Sequence, residues 1–157
     1  LTIPGASGGA IVVSTAAAPA ASAYVSRADG EAAVRAAAIE FGLPPSLLLA
    51  LAYQESGFQQ HVQSRVGAMG LMQVMPDTAD WAIGFLIWGD LDVHGSATDN
   101  ARVGAAIFRH LYDLAGGDID TALAAYYQGW GAVSEHGIYE ESHQYIANIR
   151  YFQGLFE

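Results

Sequence analysis

Residues 53–58 read YQESGF and set an acid, Glu55, just ahead of a helix-stopping glycine, Gly57. Glu55 follows Leu48 by seven residues, Leu51 by four and Ala52 by three, so helical periodicity puts its carboxyl on an apolar face. Two effects act on an acid there. Partial burial disfavours the anion, and the last turn of a helix carries the negative end of the backbone dipole. Both raise the pKa toward that of a carboxylic acid still protonated near neutral pH, as a general acid must be. The same position also suits an acid that points to solvent or one satisfied by a backbone partner.

Two further segments combine polar groups with unusual backbone. In SRVGAMGLMQVMP, residues 64–76, Gly67 and Gly70 stand close together among large apolar residues, which points to a tight backbone or to close approach of a ligand. Gln73 lies between Leu71, Met72, Val74 and Met75, and an amide so placed must find a backbone or ligand partner. In ALAAYYQGWGAV, residues 122–133, Tyr126, Tyr127 and Trp130 surround a glycine-rich helix end. Aromatic faces beside a polar edge suit stacking on the C–H surfaces of sugar rings, and they equally suit a core.

Composition removes many other chemistries. The chain of 157 residues holds no cysteine, and all six basic residues are arginine, so thiol nucleophiles, cysteine metal sites, Schiff-base lysines and P-loop lysines are absent. Its five histidines, at 61, 94, 110, 136 and 143, show no tight metal-ligand spacing, so no metal is expected. A net charge of −10 argues against a nucleic-acid backbone or an anionic membrane surface as partner. With 52% hydrophobic and only 14% charged residues, the chain is expected to fold as one compact domain.

The elements that must position these residues are helices. Residues 1–26 carry no charge, are rich in Ala, Ser and Gly, and read as a tail or linker in which IVV could dock as an extended arm. Residues 27–157 form the domain. Helices are expected over 31–41 and 46–56, the second opened by Pro44, Pro45 and a capping Ser46. A short one starts near Asp77. Another spans 100–114, capped by Asp99 or Asn100, and another runs from a capping Asp118 to about Tyr127. The last is opened by Ser142 and runs toward Phe156. Strand signals are scarce, so the class is mainly α, with an apolar central helix and a groove between its neighbours.

Taken in order, the three segments resemble the catalytic domain of soluble lytic transglycosylases, the goose-lysozyme-like family that cleaves peptidoglycan. YQESGF is similar to that family's ES motif, SRVGAMGLMQVMP to its SxxGAxGLMQxMP motif and ALAAYYQG to its ALAAYNAG motif. ESHQYI, residues 141–146, resembles the ETxxYV element that follows. The resemblance covers roughly residues 31–156 and implies a lysozyme-like α domain with a glycan-binding cleft. It also implies Glu55 as acid/base, Ser64, Met72 and Gln73 lining the cleft, Tyr126 in its wall, and Tyr145 hydrogen-bonded to Glu55. Tyr127 and Gln128 depart from the family's Asn and Ala, so the substrate contact expected at Tyr127 is altered: the phenol either narrows the groove or turns inward.

The implied reaction breaks the bond between N-acetylmuramic acid and N-acetylglucosamine and closes a 1,6-anhydro ring, with no metal or organic cofactor. A hydrolytic lysozyme would instead recruit a second carboxylate, for which Asp77, Asp80, Asp90 and Asp92 are candidates, Asp77 and Asp80 reading as first-turn helix residues. A glycan-binding or structural module without turnover is the alternative from another class. The expected partner is a glycan strand of peptidoglycan, not nucleic acid and not a membrane interior. The expected setting is extracytoplasmic or virion-associated, within a cell-wall, phage or secretion assembly.

Overall fold

The computed structural model describes residues 24–157; the tail expected over 1–26 and its IVV arm lie almost wholly outside them. Seven helices follow in order: α1 (Arg27–Glu40), α2 (Pro45–Ser56), α3 (Pro76–Phe85), α4 (Ala97–Leu114), α5 (Ile119–Gln128), α6 (Trp130–His136) and α7 (Glu140–Phe156). Among the described residues the only β pairing is two isolated bridges, Gln63 with Met69 and Met69 with Val74, which fold residues 62–74 into a tight irregular loop.

Helix α2 is the central rod. Leu47 through Ala52 are all 0% exposed, and a helix apolar on every side has to be enclosed by others. α1 and α7 pack against it, α4 packs on α1 and α5, and α5 carries α6 and α7. Rings clamp the end of α7 to the end of α2: Tyr53 meets Phe152 edge-on at 4.8 Å, and Phe58 meets Phe156 at 5.7 Å.

Several helix ends differ from the sequence expectation, each for a local reason. α1 opens at Arg27 because the Ser26 hydroxyl accepts from Asp29 N. Pro44 and Pro45 take the cap and first position of α2, while the Ser46 hydroxyl accepts from Gln153 of α7 at 3.4 Å instead of capping. α4 is capped by Ser96, not by Asp99 or Asn100, since the Asn100 side chain turns inward. α7 starts at Glu140, and Ser142 is fully buried inside its first turn. Asp118 does cap α5, accepting from Asp120 N and Thr121 N. Helix α6 begins directly after Gly129, where the sequence suggested only a glycine-rich end.

Asn100 and Gln60 are both 0% exposed and tie the irregular loops to the helices. The Asn100 amide donates to the carbonyls of Met69 and Val93 and accepts from Met72 N. The Gln60 amide donates to Val93 and His94 carbonyls and accepts from Leu71 N. Gly70, with φ +72°, lies against both amides, and any Cβ there would strike Asn100 and Gln60. The loop containing Met72 and Gln73 is therefore held rigidly above α2.

Candidate active site

Glu55 sits in the last turn of α2, which ends when Gly57 adopts the left-handed conformation at φ 60°. The next side chain, Ser56, is buried and donates from its hydroxyl to Leu71 O at 2.8 Å, pinning this helix end to the loop. Tyr145 of α7 donates its phenolic O–H to Glu55 Oε1 at 2.5 Å. Burial pushes the Glu55 carboxyl up to about 7, against the opposing pull of the Tyr145 hydrogen bond. Desolvation therefore outweighs the one donor that favours the anion, and Glu55 is poised to exchange a proton near neutral pH.

Phenols form the rest of its surroundings. Tyr126 and Tyr145 are held neutral well above the ordinary phenol range, first by burial and then by the nearby Glu55 charge. The Tyr126 hydroxyl donates to Met72 O at 2.6 Å, joining α5 to the loop. Tyr127 is 51% exposed and lies flat on Tyr145, with ring centroids 4.6 Å apart and 19° between planes. Of the two alternatives for this phenol, the ring stacks against the site's own tyrosine while keeping half its surface in solvent.

Beside this group opens a cavity of about 440 Å³. Trp81, Tyr126 and Trp130 supply aromatic faces, and Gln73, Thr78 and His110 supply polar edges. Tyr126 is shared between the cavity wall and the surroundings of Glu55, although Glu55 itself does not line the cavity. Gln73 holds a positive φ of 48° and donates its amide nitrogen to the carbonyls of Val62 and Gly70, so its carbonyl oxygen can accept from a ligand N–H.

The structure thus brings together Glu55, Tyr126, Tyr127 and Tyr145, with Gln73 on the adjoining wall. Two expected residues differ. The Met72 side chain is 0% exposed and packs against Gly104 of α4, so it cannot line an open groove; only its carbonyl reaches the site, through Tyr126. The Ser64 hydroxyl accepts from Ala68 N at 2.9 Å and closes the turn around Gly67; Ser64 is not among the residues lining the cavity. Trp81 and His110, whose rings meet at 5.3 Å, were not singled out by the sequence, because each comes from a helix whose packing only the fold reveals.

No carboxylate lines the cavity among the described residues. Asp77, Asp80 and Asp90 are exposed, and Asp92 spends an oxygen on His94 N and Gly95 N. Among the described residues no group of three or more His, Asp or Glu is arranged to hold a metal ion. No helix among them is long and apolar enough to cross a membrane.

The family model of the transglycosylase SLT domain matches residues 32–149, most of the chain. The chain belongs to this family. It is similar to the transglycosylase of Enterobacteria phage PRD1, with 38% identity over 104 residues, covering 63% of this chain and 36% of that protein. It is also similar to the soluble lytic murein transglycosylase of Escherichia coli K12, with 34% identity covering 58% of this chain and 15% of that protein. Among solved structures, an inactive mutant of the lytic transglycosylase Slt from Pseudomonas aeruginosa superposes with a TM-score of 0.70 at 28% identity, over 78% of this chain and 23% of that one. The 70-kDa soluble lytic transglycosylase of Escherichia coli gives the same TM-score at 26% identity, over 78% of this chain and 23% of that one. The fold is therefore the lysozyme-like all-α fold of SLT domains, and this chain spans only a minor part of the length of these relatives.

Proposed function

We propose that this SLT domain is a peptidoglycan lytic transglycosylase with Glu55 as its single acid/base. The observation that carries the proposal is the Glu55 carboxyl, raised to about 7 by burial and partnered by the Tyr145 hydroxyl. Residues 27–157 are its catalytic domain and 1–26 a tail or linker. The neighbouring cavity, with Trp81, Tyr126 and Trp130, is the glycan-binding cleft: its ring faces stack on sugars, and the Gln73 carbonyl oxygen accepts from an acetamido N–H.

Protonated Glu55 donates to the oxygen that links N-acetylmuramic acid to N-acetylglucosamine, and departure of the leaving sugar builds positive charge at the muramoyl C1. Glu55, now anionic and still held by Tyr145, takes the proton from the muramoyl C6 hydroxyl. That oxygen attacks C1 of its own ring, the 1,6-anhydro bond forms and Glu55 ends protonated. Because nucleophile and electrophile share one ring, the reaction needs no positioned water. A hydrolase of the retaining or inverting type would need a second carboxylate as base or nucleophile, whereas this route uses Glu55 alone. The chemistry calls for no cofactor. A peptidoglycan substrate places the protein outside the cytoplasm, or delivered to the wall by a phage or secretion machine, which fits its similarity to a phage transglycosylase.

The test is mass spectrometry of muropeptides released from purified peptidoglycan, with Glu55→Gln as control. Anhydro products, one water lighter than hydrolysis products and missing with the variant, support the proposal. Reducing-end products would mean a hydrolase, and glycan binding without product from the wild type would mean a binding module.

A further inference from the structure

The two residues that depart from the family pattern, Tyr127 and Gln128, sit side by side in the last turn of α5 and both reach α7 or its approach. Gln128 uses both ends of its amide there. Its nitrogen donates to Gly137 O at 2.9 Å, while its Oε1 accepts from Tyr139 N at 3.0 Å and from the buried Ser142 hydroxyl at 2.7 Å. These three bonds span the connection from α6 into the first turn of α7, and none of them touches the cavity. Ser142 lies one helical turn before Tyr145, on the same face. The Tyr127 ring meanwhile covers the outer face of the Tyr145 ring.

We propose that Tyr127 and Gln128 are positioning residues, a two-part strut in which the Gln128 amide sets the height of α7 and the Tyr127 ring sets the tilt of Tyr145, so that the Tyr145 hydroxyl meets Glu55. The Tyr145 hydroxyl is held on the carboxylate by a single bond, with no second partner among the described residues, so its aim depends on what holds its ring. The consequence is on proton affinity. The Tyr145 bond favours ionised Glu55, so slackening it leaves desolvation less opposed and moves the carboxyl further upward. The titratable groups facing Glu55 are Tyr126 from α5 and Tyr145 from α7, with Tyr127 behind Tyr145; both inner phenols stay neutral across the range in which Glu55 titrates.

This inference rests on the reading of Glu55 as the acid only for its effect on turnover, so the primary readout is independent of activity. The Glu55 carboxyl is followed by carbon-13 NMR through a pH titration of the whole chain, its resonance assigned by difference with Glu55→Gln. Tyr145→Phe sets the full effect of losing the bond, an upward shift of about one unit. Tyr127→Leu and Gln128→Ala should each give an upward shift of about half a unit. Tyr127→Phe keeps the stacked ring and should titrate close to the wild type. Wild-type midpoints in Tyr127→Leu and Gln128→Ala would overturn the proposal, as would an unmoved midpoint in Tyr145→Phe, because the strut would then have nothing to transmit. Cleavage followed in parallel separates the two claims: if the NMR shifts occur but the pH dependence of cleavage ignores them, the strut stands and the role of Glu55 in turnover falls.

Discussion

Two of the places where this domain buries polar side chains put them to opposite ends. At Asn100 and Gln60 the amides are fully enclosed and spend their donors and acceptors on backbone groups of the loops they hold. At Glu55 a carboxyl is largely buried with one phenol donating to it, and its proton affinity rises to about 7. Saturation makes a polar group structural, because each bond is lost if the group moves. Partial satisfaction makes it reactive, because neither protonation state is strongly preferred near neutral pH.

The contrast breaks most sharply at Glu55 itself. Glu55→Gln keeps the shape and removes the proton, so turnover of peptidoglycan should fall by about 10³-fold or more while glycan binding, measured on insoluble strands, persists. At the other site Asn100→Ala strands Met72 N away from water and takes one donor each from the Met69 and Val93 carbonyls, which keep Val74 N and the Gln60 amide, and should cost about 2–4 kcal/mol in a urea unfolding experiment. A loss under about 1 kcal/mol would mean that water takes over the Asn100 bonds and that the hub is not the rigid frame described.

The same comparison predicts a signed pH effect on stability. The folded pKa of Glu55 is raised from 4.5 to about 7, so its contribution is most favourable below about pH 4.5 and is lost as pH rises through about 7. Glu55→Gln, which cannot ionise, should therefore gain up to about 3 kcal/mol over the wild type at pH 8 relative to its effect at pH 4. Asn100→Ala should show no such dependence on pH, since no group it touches titrates in that window. Equal stability differences for Glu55→Gln at both pH values would place the carboxyl in solvent.

Much of this was legible in the chain, and what was not has physical causes. Glu55 stood out because a helical face and a stop glycine can be counted, and Asp118 because a cap acts over three residues. Gln128 gave no sign of its role, since its partners lie 9–14 residues away and meet it only once α6 has turned. Helix α6 hid behind Gly129 and Gly131, which look like an ending when their neighbours are unknown. Met72 was read toward the cleft, yet its direction is set by the gap that Gly104 leaves on α4. Asn100 was read as a cap although it shares a helical face with Val103, Gly104 and Ile107, all buried, and that register was the available clue.

The most direct test of the central claim, a carboxyl that burial holds protonated near neutrality and that does the chemistry, is the pH dependence of kcat/KM for cleavage of purified glycan strands between about pH 5 and about pH 9, since this ratio reports the free enzyme's essential groups. The account predicts activity that falls with rising pH about a midpoint near 7, the value to which burial lifts Glu55. A profile flat through that range, or one already falling steadily from its acid end at about pH 5, would contradict it: the first because no essential acid would titrate there, the second because the acid would then be an ordinary solvated carboxylate.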